Sequence, residues 1–360
     1  MEIWRHHLNR GAAHLRHRRY AEAAREFERA HAVAPEEPRV LLGLGRERMR
    51  QERFAEAEPL LLAAREALPR SGAAAATLAR LLGLHFGKLD QAHELLQCGL
   101  EVCPSRPQLY VVQGELLLEE GAFVAARAAF TRALDDPETE ATARKGLARA
   151  HNAEGITHAE LGRLEQALFA FKRAAALDPK WSSPLVNQGV ALGRLDREEK
   201  ALEAYAQALE RNPANPVAYF NLGTALCELR RLDEAVQTLE ILLEVVPDYP
   251  GVREVLANVL GEQKRFDPAI ALLLEELECH PNSASCWSSL GLAYVCSGNA
   301  ERGEECLLRA LELDPTYLNA TRNLASLYLS QGRVDELKPL LERTVQPPSP
   351  HHPEFLGKGH

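Results

Sequence analysis

The sequence predicts an all-α fold, an α-α superhelix (solenoid) of about ten tandem helical hairpins. Three observations carry that expectation. A proline returns every 33 to 35 residues over much of the chain, at Pro35, Pro69 and Pro104 and then at Pro179, Pro213, Pro247, Pro281 and Pro315. Twelve residues before each stands a small residue, Ala23, Ala57, Ala92, Ala167, Ala201, Ala235, Ala269 and Gly303. Composition agrees: Ala, Leu, Glu and Arg, all strong helix formers, dominate a chain that is 46% hydrophobic, 26% charged and only 6% aromatic. A fixed period of this length marks a repeat array in which each unit buries a face against its neighbour.

Each period encodes one hairpin. A second small residue usually precedes the first by twelve more, at Gly11, Gly45, Gly155, Gly189, Gly223, Ala257 and Gly291, and only Arg80 breaks the rule. Glycine inside a helix costs roughly 1 kcal/mol relative to alanine, so its return at one phase requires two helices that approach too closely for a larger side chain. Apolar residues at helical spacing flank the turn between them, as in Tyr219, Leu222, Leu226 and then Leu232, Val236, Leu239. The proline, which lacks an N–H and disfavours helix in the residue before it, closes the second helix.

The units fall at 4–37, 38–71, 73–106, 107–140, 148–181, 182–215, 216–249, 250–283, 284–317 and 318–349. Between Pro137 and Pro179 the spacing stretches to 42 residues, and the intervening Ala141 to Leu147 is itself helix-forming. The fifth unit therefore starts with a lengthened first helix, and the array is expected to divide there. Residues 4–140 form a basic first lobe of four repeats, 141–349 a second lobe of six, and 350–360 a flexible tail, with prolines already accumulating from Pro347. The last unit loses its pattern at Leu337 and Thr344, as a polar capping repeat would.

At the seventh unit a family resemblance becomes specific. Tyr219, Leu222, Gly223, Leu226, Ala235, Leu239 and Pro247 match the tetratricopeptide repeat at nearly every signature position, and Trp287, Leu290, Gly291, Tyr294, Gly298, Ala310 and Pro315 repeat the match in the ninth. The chain thus resembles a tetratricopeptide repeat protein along almost its whole length. The resemblance implies a concave groove, lined by the first helix of each pair, that binds a protein or peptide.

The second, fifth, sixth, ninth, twelfth and thirteenth positions of a unit are expected to face that groove. In the first two units they present Arg5, Asn9, Arg16, Arg39, Arg46 and Arg50, a basic segment suited to an acidic peptide because guanidinium forks pair with carboxylates. Residues 1 to 53 hold twelve Arg against eight Glu. Reversing Arg46 and Arg50 to Glu should then weaken such a partner. Further along, Asn187, Asn221 and Asn323 share the sixth position and Asn258 takes a ninth, a row able to bond the backbone of an extended peptide through paired donors and acceptors. The alternative for both sets is a solvated face or contact with the neighbouring repeat. A dicarboxylate clamp is not supported, since Val186 and Phe220 stand where lysine is wanted.

No constellation for catalysis is found, and no cofactor is expected. Gly43-Leu44-Gly45 follows no strand and lacks a third glycine. His6, His7, His14 and His17 lie among arginines that repel a metal cation, and His351 and His352 sit in the tail. Seven cysteines with no C-x-x-C pair, four of them at Cys279, Cys286, Cys296 and Cys306, read as reduced packing thiols. The net charge of −9 argues against nucleic acid and anionic membranes. Neither a signal-peptide run nor an eighteen-residue apolar stretch is present, so the expected place is the cytoplasm. The function that follows is a non-catalytic scaffold or adaptor. Its competitors are a targeting or regulatory subunit of a separate enzyme, such as a glycosyltransferase, and an RNA-binding helical-repeat protein. Homo-oligomerisation through terminal repeats is compatible with each.

Overall fold

The computed structural model describes residues 3–337, 339 and 340. Among them are nineteen α-helices and no strand, an all-α solenoid of helical hairpins. The chain divides into two compact units, one ending at Pro184 and one beginning at Leu185.

In the first unit, α1 (Ile3–Arg16) pairs with α2 (Tyr20–Val33), α3 (Pro38–Arg50) with α4 (Phe54–Ala67), and α5 (Gly72–Arg80) with α6 (Leu89–Val102). Next come α7 (Pro107–Glu119) with α8 (Phe123–Arg132) and α9 (Glu140–Glu160) with α10 (Leu164–Leu177). The second unit continues with α11 (Ser183–Gly193), α12 (Glu198–Arg211), α13 (Pro216–Glu228), α14 (Leu232–Val245), α15 (Val252–Glu262) and α16 (Phe266–Cys279). It closes with α17 (Ala284–Cys296), α18 (Ala300–Leu313) and α19 (Leu318–Ser330). Each periodic proline stands two residues beyond a second helix, as at Val33 and Pro35 or Val245 and Pro247. Pro38, Pro107 and Pro216 instead occupy the first position of first helices, where no N–H is needed.

The repeating glycine has the packing reason its phase requires. A Cβ on Gly45 or Gly223 would come within 2.6 Å of the leucine sixteen residues later, Leu61 or Leu239. Gly11 and Gly155 stand in the same relation to Phe27 and Phe171. Gly114, in the fourth unit, does so to Phe130, although Pro137 stands five residues beyond that hairpin's second helix rather than two.

A second signature recurs in the turn between paired helices. One residue there takes the left-handed conformation in every hairpin: Arg18, Glu52, Gly87, Gly121, Gly162, Asp196, Arg230, Lys264, Gly298 and Gly332. Glycine takes that conformation freely, whereas a residue with a Cβ is strained by roughly 1 kcal/mol. Lys264→Gly is therefore expected to raise stability by about 0.5–1 kcal/mol, read as an upward shift in Tm, with part of the gain offset by chain entropy in the unfolded state. A lower Tm would show that the Lys264 side chain does more than endure its backbone.

The third unit departs from the expected register. Helix α5 begins at Gly72, one residue before the predicted start, and its end widens into a π-helical turn over Leu81–His85. That turn absorbs one extra residue, so the helix position held by Gly45 in the second unit falls, counted from the helix start, on the fully buried Ala79, thirteen rather than twelve residues before Ala92. Arg80 breaks no rule; it belongs to the next position. In the fifth unit the lengthened first helix is α9, a single helix of 21 residues that runs through 141–147 inside the first compact unit. Phe130 of α8 wedges against it: the ring is 1% exposed and lies over both Gly114 and Gly146. Thr344 and the tail 350–360 lie outside the described residues.

Candidate functional site

The first helices α3, α5, α7 and α9 border an open hollow of about 610 Å³. Four arginines line it: Arg46 and Arg50 from α3, Arg80 from α5, and Arg106 from the link before α7. Thr77, Gln108, Thr139 and Thr142 supply neutral polar groups, and Glu138 is the one carboxylate in the lining.

The arginines are held in different ways. Arg80 makes a forked pair with Glu115, its Nε and Nη2 donating at 2.8 and 3.0 Å. Arg50 pairs with Glu47, which is 2% exposed, and its guanidinium lies 4.7 Å from the Tyr20 ring centre. Arg46 is fixed without a carboxylate: its Nε donates to Thr77 Oγ1 at 3.0 Å and its Nη2 to the Ala73 carbonyl at 3.4 Å. The Thr77 hydroxyl in turn donates to the same carbonyl at 2.8 Å. Arg106 projects beside Gly72, where a Cβ would come within 2.8 Å of its Cδ; the missing side chain makes room for the stem.

Electrostatically the hollow gathers like charges. Loss of solvent, and then repulsion by Arg106 and Arg80, push the Arg46 pKa below its ordinary value. Partial burial does the same to Arg50. Both guanidinium groups stay charged at neutral pH, so the repulsion persists until an anion offsets it.

Of the residues expected from sequence, Arg46 and Arg50, both exposed, come together here, while Arg5, Asn9, Arg16 and Arg39, equally exposed on α1 and α3, do not line the hollow. Arg5 lies 5.2 Å from the Trp4 ring centre. Two lining arginines escaped the sequence reading. Arg80 falls at a packing phase in the sequence because the π turn is silent in the proline period, and Arg106 stands in a link outside the helical positional rule.

In the second unit Asn187, Asn221 and Asn323 are half-buried and Asn258 is exposed. One turn from Asn258, the carboxylate of Glu254 accepts hydroxyl bonds from Ser285 and, at 3.3 Å, from Ser289. Tyr317 OH donates to Ser285 Oγ at 3.1 Å. No motif announces this hydroxyl–carboxylate cluster, because its members come from two consecutive repeats.

No group of three potential metal-binding side chains occurs among the described residues. His7 instead bonds the buried Glu26 at 2.7 Å, and His351 and His352 lie outside the described residues. Burial pushes the Cys286 thiol up to about 12 and that of Cys306 up to about 11, which keeps both protonated and unreactive. No helix of the described residues is long and apolar enough to cross a membrane.

Sequence profiles of the tetratricopeptide repeat match residues 14–82, 148–181, 195–259 and 289–336. Cellulose synthase operon protein C of Xanthomonas axonopodis pv. citri (strain 306) is 30% identical over 178 residues, 48% of this chain and 11% of that protein. The human protein O-mannosyl-transferase TMTC3 is 27% identical over 199 residues, 51% of this chain and 21% of that protein. The matched segments thus span only a small part of either relative. Among solved structures, an IFIT1 monomeric mutant with Gppp-AAAA is similar in fold, with a TM-score of 0.50 and 19% identity over 87% of this chain and 72% of that one.

Proposed function

The chain belongs to the tetratricopeptide repeat family, and from that premise we propose that it is a non-catalytic scaffold or adaptor whose first unit holds an acidic segment of a partner protein. Repeats of this family serve protein–protein interaction in general. What supports the finer reading is Arg46: a guanidinium pinned by Thr77 and the Ala73 carbonyl, crowded by Arg80 and Arg106, and given no carboxylate of its own. An acidic side chain entering the hollow relieves that repulsion and meets a donor fork already held in place. Arg50 and Arg80 are each offset by a carboxylate of their own, so the uncompensated positive charge of the hollow rests with Arg46 and Arg106.

The asparagines of the second unit, Asn187, Asn221, Asn258 and Asn323, serve in this proposal as backbone contacts for a further stretch of partner. Arg5, Arg16 and Arg39 act at longer range, raising the local concentration of an acidic chain, and Asn9 offers a neutral hydrogen-bonding contact beside them. The site of action proposed is the cytoplasm. The division into a basic lobe over 4–140 and a second over 141–349 belongs to the same proposal, as does self-association through terminal repeats, which light scattering would detect.

The test is equilibrium binding of a labelled glutamate-rich peptide to the full chain, followed by anisotropy. Saturable binding that weakens about tenfold between low and moderate salt is expected, because surface charge pairs are screened over about 10 Å at 0.1 M. Absence of saturable binding, or affinity indifferent to salt, would sink the proposal.

A second reading is favoured by the relatives themselves. Their names place them with cellulose synthesis and protein O-mannosylation, so the partner in this reading is a glycosyltransferase that the chain targets or regulates. Co-purification of a single such enzyme with the full chain would support it, and recovery of unrelated acidic proteins would count against it.

A further inference from the structure

A second hollow of about 540 Å³ lies in the same unit, lined by Leu118 and Glu119 at the end of α7, by Lys145, Arg149, Asn152, Ala153 and Ile156 of α9, and by Asp178 and Trp181 beyond α10. Its charges nearly balance, two basic against two acidic, and its apolar surface comes from Leu118, Ala153, Ile156 and Trp181. Ile156 is 40% exposed and so is accessible to a partner side chain entering the hollow. This hollow thus differs in character from the arginine-lined one.

Helix α9 belongs to both. Thr139 and Thr142 line the basic hollow, while Lys145, Arg149, Asn152 and Ile156 line the second. The steps from 142 to 145, 149, 152 and 156 are three or four residues, which places these side chains along one face of one helix. The extra turns of α9 over 141–147 are what join the two hollows into a single track. A rigid helix fixes their separation: fourteen residues at 1.5 Å each make about 21 Å from Thr142 to Ile156.

We infer that the partner segment carries two determinants rather than one, an acidic cluster and, about six residues away, an apolar or aromatic side chain that seats against Ile156 and Trp181. The spacing follows from the track, since an extended chain advances about 3.3 Å per residue. The inference rests on the acidic-peptide reading above and adds the second contact and the distance. Charge assigns the order of the hollows: the acidic cluster takes the one with four arginines, and the apolar side chain takes the one whose charges balance. A protein segment is favoured over RNA because carboxylates, Glu138, Glu119 and Asp178, punctuate the track and would repel a continuous phosphate backbone.

The experiment is a peptide series bound to the full chain. Each peptide carries four consecutive glutamates and one phenylalanine separated by a serine–glycine spacer of one to ten residues, in both orders, with the glutamate block alone and an RNA oligonucleotide as comparators. Affinity is expected to peak near a separation of six residues, about tenfold above the glutamate block alone. Ile156→Ser, which adds no charge to the track, is expected to remove the peak, with circular dichroism checking the fold; a peak that survives this substitution overturns the inference. Equal affinity at all spacers overturns the inference while leaving the acidic-peptide reading intact, and failure of the glutamate block to bind overturns both. Tighter binding of the RNA than of any peptide would also overturn it.

Discussion

Phe130→Ala is expected to lower the stability of the first compact unit by about 3–5 kcal/mol, the range for removing a fully buried aromatic ring. The ring is 1% exposed and packs with Val111, Ala126, Ala133, Ala143 and Leu147. It fills the space left open by Gly114 on α7 and Gly146 on α9. Neither glycine can move in to close the cavity, because each is fixed on a helix with other partners. In a repeat array, stability is a sum of unit and nearest-neighbour terms, so the loss should appear first as local opening. Hydrogen exchange would show α8 and the start of α9 losing protection before α1 to α4, and denaturant unfolding would give the magnitude. A loss below about 1 kcal/mol would mean that α9 is anchored elsewhere. Gly146→Leu approaches the same joint from the other side by overpacking it, and should disturb the same helices.

Arg46→Glu with Arg106→Glu is expected to weaken binding of an acidic peptide by at least about tenfold at low salt, with most of the change in the association rate. The structure refines the choice of residues. Arg50, attractive from sequence, pairs with the buried Glu47. Reversing Arg50 would strand that carboxylate and confuse lost binding with lost folding. Arg46 and Arg106 have no carboxylate partner among the described residues, and relieving their mutual repulsion should cost the fold little. Isothermal titration at two salt concentrations, with thermal unfolding of the same samples, separates the two effects. Unchanged affinity in a folded double variant would remove this hollow from consideration as the acidic-segment site.

The sequence by itself determined the fold class, the number of hairpins and most of their limits. Those features are written in local rules. A proline two residues past a helix, a glycine opposite a large side chain sixteen residues later, and a turn of fixed length each act within one hairpin, so a period of 34 residues exposes all of them together. The lengthened α9 was legible for the same reason, as a stretch of that period filled with helix formers. The basic character of the early repeats was legible as well, but its location was not. One residue turns a helix by about 100°, so the single residue absorbed by the π turn at Leu81–His85 carries Arg80 from a packing position to the face of the hollow. Arg106 reaches the same hollow from a link that no helical rule governs, over a glycine whose purpose is visible only with its neighbour in place. Tertiary structure therefore decided which arginines meet, which already hold a carboxylate and which do not, because charges gathered from two helices and a link depend on register between repeats, and the period within a repeat does not record it.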